Sequence, residues 1–207
     1  MSDPLAVLQR IRQTRPRALP DVQEACELCR EPIAPDHGHM VNLEARNLMC
    51  VCRGCSLLFM ADGAGGAHFR SVPDRYVALR DLLLTPAQWD SLQIPVSVAF
   101  FFLNSSIGRV AAFYPGPAGA TESELPLETW HEVSAGSEGL ATLQPDVEAL
   151  LVRASPHRRE VESYIVPIDA CYELVGRLRR LWRGFDGGRE ANDMLDGFFD
   201  HVKARAA

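Results

Sequence analysis

Five of the six cysteines fall within one short segment, Cys26-Glu-Leu-Cys29 followed by Cys50-Val-Cys52-Arg-Gly-Cys55. Two Cys-x-x-Cys pairs with 22 residues between Cys29 and Cys52 suit a tetrahedral thiolate site. Each pair forms a tight knuckle whose sulfurs turn inward, and the two knuckles share one ion. Soft thiolates at about 2.3 Å select zinc, or iron in a rubredoxin-like site. The favoured ligands are Cys26, Cys29, Cys52 and Cys55. Cys50 lies two residues before Cys52 and on the same side of an extended strand, so it is an alternative ligand. It could replace Cys52, act as a fifth thiol or serve an iron–sulfur cluster. His37 and His39, in Asp36-His37-Gly38-His39, are either substitutes or polar loop histidines. Zinc is preferred over iron because neither knuckle carries the Pro and Gly that usually follow the first and second cysteines of rubredoxin-like loops. Four protein thiolates leave no open position, which points to a structural ion rather than a hydrolytic one. Such an ion contributes on the order of 10 kcal/mol to the folding of a small module. An even cysteine count also fits disulfides, but nothing in the sequence places the chain in an oxidising compartment.

The chain that positions these ligands has 207 residues, 47% of them apolar and 23% charged, which is enough for a packed core. A formal net charge of −6 disfavours a general polyanion binder. No apolar run approaches the roughly 18–20 residues of a membrane span. The N-terminus has none of the ordered zones of a secretory signal, so a cytoplasmic location is expected. The expected fold class is α+β: an N-terminal zinc-ribbon-like module, then a mainly antiparallel sheet packed with C-terminal helices. The expected divisions are an N-terminal helix over 1–20, a Cys-rich module over 21–66 and an α+β domain over 67–207.

Asp3-Pro4 reads as a capped helix start, with Leu5, Leu8 and Ile11 on one face. The Gly-rich Ala61–Gly66 stretch has no Gly-Lys-Ser/Thr ending and reads as a connector. Thr85-Pro86 opens a short helix with Trp89 and Leu92 inward. Val96–Leu103, VSVAFFFL, fits a buried central strand, and Arg109–Tyr114 returns as its hairpin partner. Pro115–Gly119 breaks the chain. Val147–Arg153 and Val161–Val166 read as a strand pair, although EALL in the first also favours helix. Pro167 and Asp169 start the clearest helix, with Cys171, Leu174, Val175, Leu178, Leu181 and Trp182 at steps of three and four. A last helix carries Met194, Leu195, Phe198, Phe199 and Val202.

Charged groups suggest two surfaces. His68, Arg70, Asp74 and Arg75 crowd one short segment, either as a partner- or anion-binding strand or as an edge with local ion pairs. Between Thr121 and Glu148 there are seven acidic residues and no Lys or Arg, which marks an acidic face for a basic partner or a merely solvated one. No Gly-x-Ser-x-Gly elbow, His-Glu-x-x-His helix or dinucleotide fingerprint is present, so a non-enzymatic role is expected. The nearest approaches to reactive pairs are His131 with Glu132 and Asp169 with Cys171, and Cys171 reads better as core.

Several segments taken together carry a resemblance: CELCREPIAPDHGHMVNLEARNLMCVCRGCSLLF, AGGAHFRSVPDRY, IPVSVAFFF, YPGPAGATES, PDVEALLV and VPIDACYELVGRLRRLWRG. In that order they resemble an uncharacterised bacterial domain family over about residues 22–203. Its members are encoded beside high-affinity nickel–iron uptake hydrogenases and their maturation factors. The resemblance implies an accessory role in assembling or maturing such a hydrogenase through protein–protein contacts. Two other roles stay open. One is a rubredoxin-like iron electron carrier for the hydrogenase. The other is a zinc-ribbon nucleic-acid binder using the N-terminal arginines and Arg177–Arg183.

Overall fold

A computed structural model describes residues 24–59, 68–82, 84–123, 127–154, 161–183 and 187–206. The expected helix over 1–20, the connector at Ala61–Gly66 and the turn at Ser155–Arg158 lie outside these residues. The described chain is mixed α/β, with two antiparallel sheets and two C-terminal helices.

The smaller sheet holds the cysteines. Strand β1 (Gly38–Asn42) pairs with β2 (Asn47–Val51) in a hairpin, and β3 (Phe69–Ser71) pairs with the other side of β1. A six-residue helix, α1 (Arg53–Leu58), follows β2 directly. Strand β3 lies beyond residue 66, so the chain after the expected division at 66/67 still completes the sheet of the Cys-rich module. The core of this sheet is small: Cys26, Ile33, Met40, Val51 and Cys55.

The larger sheet has six strands in the order β4-β9-β8-β5-β6-β7. These are β4 (Val77–Ala78), β5 (Val98–Asn104), β6 (Arg109–Gly116), β7 (Gly119–Ser123), β8 (Glu148–Ala154) and β9 (Val161–Pro167). The apolar run VSVAFFFL becomes β5 from Val98 onward, near the centre of the sheet between β8 and β6. Its continuous apolarity has a physical cause. Strand side chains alternate between faces, and here both faces are covered. Phe100 and Phe102 point to one core, together with Leu151, Val166 and the two C-terminal helices, α4 (Ile168–Leu181) and α5 (Gly188–Arg205). Ala99 and Phe101 point to the other, with Leu150, Val152 and Ile165. That second core is closed by Trp89 of helix α2 (Pro86–Ser91) and Trp130 of helix α3 (Leu127–Ser134). The Thr85 side chain and Gln88 cap α2 reciprocally, which fixes where it starts.

Two local readings are settled by tertiary context. Glu148–Ala154 is strand and not helix, because it lies between β5 and β9 and pairs with both. The Pro115–Gly119 break is a tight hairpin: β6 runs through Pro115 and Gly116, and Gly119, at φ 125°, turns the chain into β7. Both edges of the large sheet are modest, β4 with two residues and β7 with GATES.

Phe101 is 1% exposed and its ring stacks on Trp130 at 4.9 Å. Replacing it with alanine removes a large buried side chain and opens a cavity. Phe101→Ala is expected to cost about 3–5 kcal/mol of unfolding free energy, measured by urea denaturation.

Candidate metal centre

The first knuckle is a short hairpin. Ala25 and Pro32 form an isolated bridge, Cys26 N–H donates to the Glu31 carbonyl at 2.8 Å, and Arg30 N–H donates to the Cys26 carbonyl at 2.8 Å. Closing so tight a turn puts Arg30 at φ 68°, a left-handed conformation that branched side chains avoid. The second knuckle is a helix start. Cys52 is the N-cap of α1, and its sulfur accepts from Cys55 N–H at 3.4 Å. Glu27 ties the two together: its N–H donates to the Cys50 carbonyl at 2.9 Å, and its Oε1 accepts from Cys50 N–H at 2.7 Å.

These contacts bring the sulfurs of Cys26, Cys29, Cys52 and Cys55 within 4.8 Å of one another. Cys29 Sγ and Cys52 Sγ are 3.7 Å apart. Four sulfurs at about 2.3 Å from a tetrahedral centre would be separated by about 3.8 Å, so the spacing fits a shared ion. It does not fit a disulfide, whose sulfurs stand about 2.05 Å apart, and none of the six cysteines is in a disulfide. The cluster is able to bind a metal, and its soft donor set suits zinc or iron.

The protons on these sulfurs are distributed unevenly. Burial pushes the Cys26 thiol up, but N–H groups of Cys29, Cys52 and Leu28 outweigh it and bring the group down to about 6. Cys55 is pushed up to about 12, first by burial and then by its neighbours Cys29, Cys52 and Cys26. For Cys29 the Glu31 backbone pulls down, while Cys26 and burial leave the group raised. Cys26 therefore ionises readily, while Cys29 and Cys55 hold their protons. A dication reverses this by replacing the protons.

Cys50 groups with His37 and His39 rather than with the four sulfurs. The remaining charged candidates pair within the chain. Arg70 donates to the buried Asp146 at 2.9 Å, Asp74 accepts from Arg205 at 2.5 Å, and exposed His68 stands 3.7 Å from Glu44. Arg75 forks onto Glu148, donating through Nε at 2.7 Å and through a terminal nitrogen at 2.8 Å. Two of the seven acidic residues between Thr121 and Glu148 are thus buried partners of arginines, not surface charge. Cys171 is wholly buried, and burial raises its thiol well above the ordinary range, in keeping with a core role. Sequence reading missed one of the contacts that join the small sheet to the larger body. Asp169, in the first turn of α4, accepts a hydrogen bond from His39 of β1 at 2.8 Å across 130 residues of sequence. No local pattern announces a pairing at that separation.

The fold and site define a two-sheet α/β protein with a four-cysteine cluster able to hold a metal. The chain belongs to a family of unknown function, DUF5947, whose profile matches residues 25–206. No curated protein and no solved structure gives a significant match.

Glu148 is fully buried, so removing its partner strands a carboxylate. Arg75→Ala is expected to destabilise the protein by about 3 kcal/mol in chemical denaturation. Adding Glu148→Gln to that variant removes the stranded charge and recovers part of the loss.

Proposed function

We propose that this protein is a non-enzymatic, zinc-stabilised accessory protein acting through protein–protein contacts, with a nickel–iron hydrogenase subunit or maturation factor as its partner. The observation that carries the zinc reading is the convergence of four cysteine sulfurs with a 3.7 Å edge. A closed set of four thiolates suits structural zinc and leaves no position for substrate. Among the described residues the surrounding core has five buried members, two of them the ligands Cys26 and Cys55, so a shared ion would add much to the hold on two knuckles and a six-residue helix. The module is zinc-ribbon-like in using two facing knuckles. A docking role is supported by Leu57 and Leu58, which follow Cys55 on α1 and are 57% and 65% exposed. An ion that fixes Cys55 also fixes where these leucines stand. The hydrogenase assignment rests on the resemblance of the ordered motifs to a family encoded beside hydrogenase genes.

Purified protein is expected to be colourless and to carry zinc in the four-cysteine site. Iron in that site, with visible absorption, would replace this reading by the electron-carrier one. Chelation under reducing conditions, or acidification, replaces the ion with protons and abolishes amide protection over residues 24–59, while β5 and β8 keep theirs. Unchanged hydrogen exchange after complete metal removal would count against a stapling role. Affinity purification from a host that makes such a hydrogenase is expected to recover a hydrogenase subunit or maturation factor. Leu57→Asp with Leu58→Asp is expected to lose that partner without losing zinc.

A further inference from the structure

Beside the four-cysteine cluster lies a second convergence of metal-type donors. His37, His39 and Cys50 each place one donor atom within 4.8 Å of the other two. The two imidazole rings are 4.9 Å apart between centroids. His39 and Cys50 are cross-strand partners in the β1–β2 hairpin. Their main-chain groups point away from each other: both those of Cys50 bond to Glu27, and the His39 carbonyl accepts from Val72 N–H. That is the non-hydrogen-bonded type of antiparallel pair, in which side chains approach most closely.

Both histidines are held by one nitrogen in a way that frees the other. His37 Nδ1 lies 2.8 Å from the Ala34 carbonyl, which can only accept, so Nδ1 carries the hydrogen. In the neutral ring the lone pair is then on Nε2. This Nε2 is buried and has no hydrogen-bond partner, in a side chain only 9% exposed. Leaving a buried acceptor unmatched is costly, and native structures rarely do so without a ligand. His39 Nδ1–H donates to Asp169 Oδ2 at 2.8 Å, which again leaves Nε2 as the acceptor. A carboxylate behind the far nitrogen is the usual support for a metal-bound histidine, since it orients the ring and makes it a better donor. Asp169 is itself held by Ala170 N–H on its other oxygen at 2.8 Å.

We propose that His37 Nε2, His39 Nε2 and Cys50 Sγ form a second metal site, separate from the four-cysteine centre, for a borderline divalent transition ion such as Zn²⁺. Two imidazoles and one thiolate suit such an ion in donor type. The Cys50 thiolate and the nearby Asp169 and Glu27 carboxylates supply counter-charge. With three protein donors the fourth position is open to water or to an outside ligand, whereas the neighbouring centre is closed. The protein thus carries one ion for shape and one with exchangeable coordination.

The site goes beyond the accessory reading, and a cobalt titration of reduced, metal-stripped full-length protein separates the two. Two equivalents are expected. One shows the intense thiolate-to-cobalt absorption of four sulfurs, and the other a weaker band from a single thiolate. Cys50→Ser, and separately His37→Ala with His39→Ala, lose only the second equivalent and keep the four-sulfur spectrum, which also reports that the module has folded. Asp169→Asn, a positioning change, weakens the second ion by about 10–100-fold and leaves the first unaltered. Saturation at one equivalent with the four-sulfur spectrum, or a second equivalent that survives both sets of substitutions, would overturn the second site while leaving the first intact. A single equivalent that depends on Cys50 and the histidines would uphold it and overturn the zinc-stapled reading instead. No cobalt binding at all would overturn both.

Discussion

Four sulfur atoms within 4.8 Å of one another are the constraint around which the described part of the Cys-rich segment is arranged. Crowded thiolates repel, and crowded thiols bury polarity for little return. A shared cation changes both at once, turning mutual repulsion into a common attraction. Much of the local architecture serves this convergence. The left-handed Arg30 closes the first knuckle, Cys52 doubles as a helix cap, and Glu27 ties the first knuckle to β2. The same β2 and its partner β1 then carry Cys50 and His39.

The two sheets are joined by polar contacts on defined residues. His39 reaches Asp169 at the start of α4, Arg70 reaches Asp146 ahead of β8, and Ser106 donates to the Leu43 carbonyl at 3.1 Å. Asp146 also accepts from Ser105 N–H at 2.8 Å, so one buried carboxylate organises a loop of the large sheet and receives an arginine from the small one. Apolar contact supplements these bonds, because Val41 and Leu48 of the small sheet pack against the core beneath α4 and α5.

The sequence revealed features with short-range signatures and concealed those that depend on distance. The cysteine spacing, the VSVAFFFL run and the stripe from Cys171 to Leu178 carry short-range signatures: the four sulfurs lie together, the run becomes strand from Val98 onward, and the stripe falls within α4. Strand β7 was hidden because Gly and Pro there signal a break, and only pairing with β6 makes GATES extended. Helix α3 was hidden inside a stretch that reads as a run of acidic charge. The roles of Glu148 and Asp146 were illegible because arginines some 70 residues away in sequence decide whether an acid is buried or solvated. For the same reason the spacing left Cys50 open between replacing Cys52, adding a fifth thiol and serving an iron–sulfur cluster, whereas cross-strand register pairs it with His39.

The large sheet ends in a two-residue strand on one side and in GATES on the other. Neither edge offers a long row of free main-chain groups backed by apolar side chains, and Glu122 places a charge on the second. Such edges are poor templates for a foreign strand, which protects a β-rich body against edge-to-edge aggregation while it folds.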